Sequence, residues 1–346
     1  MTPLNEWFSP SAPCIFIAEI GVNHNGNLDT AKRLIDAAVD AGADAVKFQT
    51  FIAEKLATRH ATKAAYQEKN DAAVETQATM LKRLEFSEEK LLACRDHARN
   101  AGIGFLSTPF DKHAADLLEK IGVEAFKISS GDLTELPLLR HIASKATPMI
   151  ISTGMANLSE VEEAVTAIAE AGDPPLAILH CVSDYPAAPH EANLRAMDTL
   201  AAAFGKPVGW SDHTLGDEVA IAAVARGARF IEKHYTLDRN MPGPDHKASL
   251  EPHELKDLIA KIRRVESALG DGIKRPQASE LATAAVARKS IVLAHDVKVG
   301  ERLDESMLAC KRPGTGLAPR LLPLIIGRTA TRDLAADELL HLEDIS

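Results

Sequence analysis

The protein has few aromatic residues. Phe, Trp and Tyr together make up 4% of its 346 residues, whereas hydrophobic residues of all kinds make up 46%. A sizeable core is therefore expected, and it must be built mainly from Ala, Val, Ile and Leu. The chain is long for one compact domain, and its length suits one large domain followed by a small one.

Cysteine and positive charge are also in short supply. The four cysteines, Cys14, Cys94, Cys181 and Cys310, lie far apart and form no CxxC pair. This disfavours a disulfide scaffold or a zinc ribbon and favours a reducing compartment. The formal net charge of −10 disfavours nucleic acid and anionic membranes as partners. Because we find neither a signal peptide nor a bilayer-spanning run, we expect a cytoplasmic protein.

Eight short apolar runs organise the chain from residue 15 to about residue 269, and each ends in polar residues followed by a segment of helical period. Alternating strands and helices indicate a parallel sheet with crossover helices, and eight such units predict a (β/α)8 TIM barrel. A doubly wound open sheet is the alternative, although no GxGxxG fingerprint follows a predicted strand. The predicted strands are Ile15–Ile20, Asp44–Gln49, Gly102–Ser107, Glu124–Ser129, Pro148–Ser152, Leu176–Cys181, Pro207–Ser211 and Arg229–His234.

The domain boundaries follow from breaks in this pattern. Glycines and a proline interrupt the last predicted barrel helix, and the remainder of the chain is rich in turn residues. We predict a catalytic barrel over residues 14–270, a linker over 271–288 and a small domain with little helix over 289–346. The connection between the second and third strands is unusually long and contains the segment Lys63–Gln67. Connections of this length inside a compact domain are usually functional.

The carboxyl ends of the strands in a TIM barrel surround the active site, and every predicted strand here ends in hydrogen-bonding or ionisable residues. Lys47 and Lys127 end two of them, within a ring of small hydroxyl groups. Ammonium groups and hydroxyl donors suit a bound phosphate, so the joint pattern predicts a phosphate site. Any single hydroxyl is more simply interpreted as a helix cap. The hydroxyl residues are Thr108, Ser130, Ser152, Ser183 and Ser211.

His213 and His234 end adjacent predicted strands. Two imidazoles at a barrel mouth indicate a divalent metal with open positions for water and substrate, and Glu19 is the carboxylate expected beside it. A hydrogen-bonded histidine pair without metal is the alternative. Asp132 and Asp245 are the candidate acid–base carboxylates. Their alternatives are a helix cap for Asp132 and a solvated turn for Asp245.

These motifs resemble the sialic acid synthase family, in order along the chain from about residue 14 to residue 345. Two segments past the barrel, Val286–Ser290 and Lys311–Gly316, are similar to the antifreeze-like domain of that family. The barrel segments that carry the resemblance are Phe16–Gly26, Val46–Phe51, Ser107–Asp111, Lys127–Gly131, Ser152–Met155, Gly209–Thr214, Glu232–His234 and Pro242–Asp245.

The resemblance implies a TIM barrel followed by a small, mostly-β antifreeze-like domain of the SAF, or β-clip, type. It implies a metal-dependent condensation of phosphoenolpyruvate with an N-acylmannosamine-type sugar, with release of phosphate. N-acetylmannosamine, which would give N-acetylneuraminate, is the expected acceptor. A 2,4-diacetamido-2,4,6-trideoxymannose, which would give a legionaminate-type acid, is the alternative. A 6-phosphorylated sugar is disfavoured because the sequence offers no second cluster of Lys and Arg.

The resemblance also implies residue roles. Mn²⁺ is the expected metal, with Mg²⁺ or Co²⁺ as alternatives, and His213 and His234 would hold it. The catalytic residues would be Glu19, Asp132, His234 and Asp245, and Gln49 and Tyr185 would face the sugar. Arg312 would bind the N-acyl group in the active site of a partner subunit, within a domain-swapped homodimer. Phosphoenolpyruvate would be held by Lys47, Thr108, Lys127, Ser130, Ser152, Ser183 and Ser211.

Two positions depart from the family pattern. Asp132 stands where many members carry Glu, the proposed base, and its side chain is one methylene shorter. The base would then act through a water, or the sugar would sit differently. Ser183 stands where Asn is common, which leaves its contact with phosphate open.

Two other classes of function remain open. A Schiff-base aldolase on the same barrel would use Lys127 or Lys233 as its nucleophile, but the histidine pair argues against it. A sugar- or ice-binding protein would act through its C-terminal domain. That reading explains neither the polar strand ends nor the fusion to a barrel.

Overall fold

The structure, a computed structural model, describes residues 6–9, 12–58, 60–64 and 76–346. Tyr66 and Gln67, part of the segment singled out in the long connection, lie outside the described residues. The chain divides into two units, Met1–Gly270 and Asp271–Ser346.

The first unit is a closed barrel of eight parallel strands in chain order, with the last strand paired to the first. Closure confirms the predicted TIM barrel and excludes the open doubly wound sheet. The strands are β1 (Ile15–Gly21), β2 (Ala45–Thr50), β3 (Gly104–Pro109), β4 (Phe126–Ile128), β5 (Met149–Ser152), β6 (Leu176–Cys181), β7 (Val208–Asp212) and β8 (Phe230–His234).

Helices connect the strands and pack around the barrel. They begin with local signals, such as the Asn157 side chain, which accepts a hydrogen bond from the Glu160 backbone in a capping box. The helices are α1 (Leu28–Ala41), α2 (Ala53–Leu56), α3 (Gln77–Leu84), α4 (Glu88–Asn100), α5 (Lys112–Ile121), α6 (Leu136–Ala143), α7 (Leu158–Ala171), α8 (Ala196–Phe204), α9 (Glu218–Ala225) and α10 (Pro252–Leu269).

Strand alternation divides the aliphatic core into two layers. Ile15 and Ile17 of β1 belong to the cluster inside the barrel, whereas Phe16, Ala18 and Ile20 belong to the cluster between the strands and the helices. Side chains two residues apart lie on the same face of a strand. The residue that follows Ile17 on the inner face is therefore Glu19, at the carboxyl end of the barrel.

The second unit is small and built mainly from turns. Its strands β9 (Ser290–Leu293) and β10 (Leu308–Lys311) pair antiparallel over a separate apolar cluster that includes Ile291 and Leu293. It also contains helices α11 (Leu281–Ala287), which falls within the predicted linker, and α12 (Leu322–Ile325). The expected small domain with β structure is confirmed. Within the described part of both units, no helix combines the length and the apolarity needed to cross a membrane.

Candidate active site

A cavity of about 480 Å³ opens at the carboxyl ends of the barrel strands. Most of the residues expected to act in the site line it, and those that lie within strands continue the inward face of the inner core layer. They are Glu19, Lys47, Gln49, Thr108, Lys127, Ser130, Ser152, Ser183, Tyr185, Ser211, His213, His234 and Asp245.

The two lysines lie buried at the floor of this cavity. The Lys47 ammonium is 3.0 Å from Glu19 Oε1 and donates a hydrogen bond to Thr108 Oγ1 at 3.2 Å. The Lys127 ammonium donates to Ser152 Oγ at 2.6 Å, and burial lowers the pKa of Lys127. The pattern expected for phosphate capture, ammonium groups beside hydroxyls, is thus present in one place.

Glu232, for which the sequence pattern predicted no role, links these lysines. Its carboxylate oxygens lie 3.6 Å from the Lys47 ammonium and 3.5 Å from the Lys127 ammonium, and Ser211 Oγ donates to it at 2.9 Å. Burial acts to raise the pKa of Glu232, but Lys127 and Lys47 outweigh it and lower the pKa to about 2. Glu232 is therefore ionised and balances charge between the two ammonium groups.

The signal that identifies Glu232 is strand alternation. Phe230 lies in the cluster inside the barrel, so Glu232 and His234 share its face of β8, and Lys233 takes the opposite one. The Lys233 ammonium indeed contacts Asp212 Oδ2 at 2.5 Å and the Thr214 carbonyl oxygen at 2.7 Å, away from the cavity. Lys233 is therefore not placed to act as a Schiff-base nucleophile on a ligand bound there.

Three small residues form a tight cradle at the ends of β4, β5 and β6. The Gly154 N–H donates to Ser130 Oγ at 2.9 Å. A Cβ atom on Gly154 would overlap Ser183 Oγ and would come within 2.8 Å of Ser130 Oγ. Only glycine lets both hydroxyls approach this point. The buried thiol of Cys181, also without a role in the sequence analysis, lines the cavity nearby.

The histidines at the ends of β7 and β8 face each other with ring centroids 5.6 Å apart. His213 Nδ1 is 2.7 Å from the Val182 carbonyl oxygen, which leaves Nε2 for another partner. Burial lowers the pKa of His234 well below its usual value. Its Nδ1, like Glu19 Oε2, is buried without a hydrogen-bond partner in the described part of the chain.

Two imidazoles and an unpartnered carboxylate oxygen are donors that suit a divalent metal. No group of three or more candidate ligands occurs among the described residues. The two imidazoles face each other closely enough to hold a metal between them, with its other positions open to water and substrate. Glu19 is adjacent, and burial raises the pKa of its carboxyl to about 7 despite the opposing effect of Lys47.

The remaining residues expected around the sugar lie beside the histidines. The Tyr185 ring is 4.0 Å from the His213 ring, centroid to centroid. Gln49 Nε2 donates to Glu19 Oε1 at 3.3 Å. Asp245 is buried, and burial raises the pKa of its carboxyl to about 6. A buried carboxyl whose pKa approaches neutrality is suited to proton exchange with a bound hydroxyl.

Two predicted residues are not part of this cavity lining. Asp132 lies in a 3₁₀ turn, Ser130–Asp132, and accepts a hydrogen bond from Ser129 Oγ at 2.5 Å. Its neighbours in the turn line the cavity, but its own side chain is held at the turn. Arg312 belongs to the second unit, where it is exposed and donates from Nε to the Ala287 carbonyl oxygen at 3.0 Å.

Comparison with known proteins gives a consistent result. The model of the NeuB family matches residues 34–274, and that of the SAF domain matches residues 288–346. The chain belongs to the NeuB family. This confirms the resemblance to sialic acid synthases and the antifreeze-like assignment of the second unit.

Individual relatives of this NeuB-family protein match over nearly its whole length. It is 47% identical to the N,N'-diacetyllegionaminic acid synthase of Campylobacter jejuni, over 94% of this chain and 98% of that one. It is 46% identical to the N,N'-diacetyllegionaminic acid synthase of Legionella pneumophila, over 97% and 95%. The crystal structure of the N-acetylneuraminic acid synthetase of Leptospira borgpetersenii superposes with a TM-score of 0.71 at 38% identity, covering 79% of this chain and 90% of that one.

Proposed function

We propose that this NeuB-family protein condenses phosphoenolpyruvate with the open-chain aldehyde of an N-acylated amino sugar, consumes one water and releases phosphate. The observation that carries the proposal is that one cavity combines the buried lysines and their neighbouring hydroxyls with a pair of facing imidazoles. Its volume of about 480 Å³ lies within the range of small-molecule sites. A cavity of this volume can hold two small reactants next to each other.

The two buried lysines and the neighbouring hydroxyl groups would together position phosphoenolpyruvate. Lys47 and Lys127 would each hold an anionic oxygen, and the hydroxyls of Ser130, Ser152 and Ser183 would donate to the phosphate. Fixing the phosphate and carboxylate also orients the enol carbon toward the second reactant, which lowers the entropic part of the barrier.

The imidazole pair would position the sugar aldehyde. His213 and His234 would hold a divalent metal, Mn²⁺ by preference and Mg²⁺ or Co²⁺ as alternatives, whose chemistry is Lewis-acid polarisation of the aldehyde oxygen. Glu19, Gln49 and Tyr185 would orient the sugar hydroxyls. Asp245 would exchange a proton with one of them.

Of the two acceptors expected from the sequence, we propose the 2,4-diacetamido-2,4,6-trideoxymannose. The relatives at 46–47% identity that are named N,N'-diacetyllegionaminic acid synthases support this choice. N-acetylmannosamine is the second candidate, supported by the structural match to an N-acetylneuraminic acid synthetase. Asp132 remains a candidate base. From its 3₁₀ turn, Ser130–Asp132, it would act on the substrate through a water.

We further propose a domain-swapped homodimer that works in the cytoplasm. Helix α11 supports the dimer, because Leu281 and Val286 on it are 60% and 68% exposed and apolar side chains favour a covering surface. Arg312 would reach the N-acyl group in the partner subunit's site. The four cysteines, which are all free thiols, support a reducing compartment.

A product assay tests the reaction. Purified protein with Mn²⁺ and phosphoenolpyruvate is given each of the two acceptors, and phosphate and sugar acid are quantified together. We expect equimolar phosphate and nine-carbon acid, formed only when sugar is present. Sugar-independent phosphate release, or a borohydride-trapped adduct on Lys127, would contradict the proposal.

A further inference from the structure

A buried ion pair lies directly behind the two facing imidazoles. Asp212 is the last residue of β7 and Lys233 is the last but one of β8, so each immediately precedes one of the histidines, His213 and His234. The Lys233 ammonium and Asp212 Oδ2 are 2.5 Å apart, and the two side chains are 2% and 0% exposed. Neither residue lines the active-site cavity, so the pair is placed to act on the imidazoles from behind, through the backbone.

Thr214 extends this pair to the other side of His213. The Thr214 N–H and Oγ1 donate to Asp212 Oδ1 at 2.9 Å and 2.7 Å. The Lys233 ammonium also donates to the Thr214 carbonyl oxygen at 2.7 Å. The residues immediately before and after His213 are thus both bonded to Lys233, which is the neighbour of His234 in the sequence.

This network continues where the ladder between β7 and β8 ends. The last paired residues of the two strands are Asp212 and Lys233, so His213 lies beyond the ladder. Toward β6, His213 has contacts of its own: its carbonyl oxygen accepts from the Ala187 N–H at 2.9 Å, and its Nδ1 is 2.7 Å from the Val182 carbonyl oxygen. Toward β8, the buried ion pair supplies the connection.

Stability alone does not explain two charges in this layer. Trp210 and Ile231, two residues earlier on the same strands, belong to the apolar cluster between the strands and the helices, and Asp212 and Lys233 continue that face. Replacing a buried ion pair by neutral side chains is often neutral or stabilising, because burying two charges carries a large desolvation cost. The charge-assisted hydrogen bonds of such a pair do, however, fix the relative positions of the groups that they join.

We propose that the Asp212–Lys233 pair, together with Thr214, is a positioning unit for the two imidazoles. It fixes the separation of the His213 and His234 rings, whose centroids are 5.6 Å apart. The inference rests on the metal site of the proposed function and assigns that site its supporting contacts. Loss of contacts that orient metal ligands typically weakens metal binding by about 10- to 100-fold.

Calorimetric titration of the metal-free protein with Mn²⁺ tests this without turnover. Asp212→Asn combined with Lys233→Met removes both charges and the link between the strands, while the new amide oxygen can still accept from Thr214. We expect the dissociation constant for Mn²⁺ to rise about 10- to 100-fold. The melting temperature should stay near that of the wild type, because no buried charge is left unpaired. Wild-type Mn²⁺ affinity in this double variant would overturn the proposal.

Thr214→Val is a milder variant, since it replaces one hydroxyl by a methyl group of similar size. It removes one hydrogen bond to Asp212, and the dissociation constant for Mn²⁺ should rise about 2- to 10-fold. If the double variant does not fold, this variant carries the test, and unchanged Mn²⁺ affinity in it would contradict the proposal.

The matched control is a second double variant, Asp44→Asn combined with Arg263→Met. It removes another ion pair, with 2.6 Å between Asp44 Oδ2 and Arg263 Nη2, just before the start of β2 and thus at the opposite end of the barrel. The control should bind Mn²⁺ as the wild type does. An equal loss of affinity in both double variants would mean that the Asp212–Lys233 pair serves stability alone.

Histidine NMR separates the positioning unit from the metal role. In the metal-free protein, the ring Cε1–H resonances of His213 and His234 can be assigned with the alanine variants of these two residues. They should shift in the Asp212→Asn, Lys233→Met protein and keep their wild-type positions in the control. Shifted resonances in a protein whose wild type binds no Mn²⁺ would overturn the metal role and leave the positioning unit standing. Unshifted resonances with unchanged Mn²⁺ binding would overturn the positioning unit and leave the metal role standing.

Discussion

At the scale of single residues, Glu232 explains how two lysines can lie buried side by side. Lys47 and Lys127 both contact its carboxylate, within 3.6 Å and 3.5 Å. Removing one partner of a buried ion pair typically costs about 3–5 kcal/mol, because the remaining charge is left without compensation. In this site a bound dianion can supply the missing compensation.

Glu232→Gln should therefore destabilise the free protein by about 3 kcal/mol and should be rescued by phosphoenolpyruvate. We expect the rise in melting temperature on adding phosphoenolpyruvate to be larger for the variant than for the wild type, since ligand binding and folding are linked. Thermal unfolding followed by circular dichroism, with and without ligand, measures both effects.

Asp212→Asn is the control for this prediction. It leaves Lys233 buried without its carboxylate partner, but Lys233 faces away from the cavity. This variant should lose comparable stability and gain no extra rise from phosphoenolpyruvate. An equal response in the two variants would mean that Glu232 does not border the anion site.

At the scale of secondary-structure elements, the register of β7 and β8 brings together the two imidazoles of the proposed metal site. Asp212 pairs with Lys233 across the two strands. The next residue on each strand, His213 on one side and His234 on the other, therefore lies beside its counterpart at the barrel mouth.

We expect EDTA to abolish turnover and Mn²⁺ to restore it. Full turnover by metal-free protein would contradict a metal role.

Calorimetric titration with Mn²⁺ locates the site without relying on activity. His213→Ala and His234→Ala should each weaken Mn²⁺ binding by at least about 100-fold, since losing a direct ligand costs no less than losing its supporting contacts. His141→Ala should bind Mn²⁺ as the wild type does, because His141 pairs with Asp116 on the outer surface.

The sequence predicts the strands of the barrel better than it predicts which residues at their ends face the cavity. The eight strands were predictable because short apolar runs alternate with helical segments, and their polar ends marked the barrel mouth. Glu232 was not singled out because it stands beside Lys233 and His234 in a run of three ionisable residues. Only the inward position of Phe230 decides which of the three face the cavity.

Asp132 illustrates the opposite difficulty. Its position directly after the fourth strand favoured a place in the cavity lining. However, β4 ends at Ile128, and the 3₁₀ turn that follows aims the carboxylate at Ser129. Turn geometry of this kind depends on local hydrogen bonds that strand periodicity does not report.

At the scale of the whole molecule, each active site of the proposed dimer combines His234 of one subunit with Arg312 of the other. Arg312→Ala and His234→Ala should each be inactive alone. Mixed under conditions of subunit exchange, they should recover about a quarter of the wild-type activity, since half of the random dimers carry one intact site of two.

Arg320→Ala provides the control, because Arg320 is another exposed arginine of the same unit to which we assign no role. It should be active without a partner variant. Verified heterodimers of the two inactive variants that stay inactive would show that Arg312 does not act across the dimer.

Different parts of the fold form the floor of the cavity and one of its sides, which has a practical consequence. Strand ends supply the floor proposed to hold phosphate, whereas α2 and α3, outside the barrel framework, supply Leu56, Met80, Leu81 and Leu84 on another side of the cavity. A protein engineer could therefore exchange residues 53–84 as a cassette and retune the acceptor range while the bond-forming machinery stays intact. Natural divergence among relatives could follow the same route, with new nine-carbon acids arising from changes in one connection.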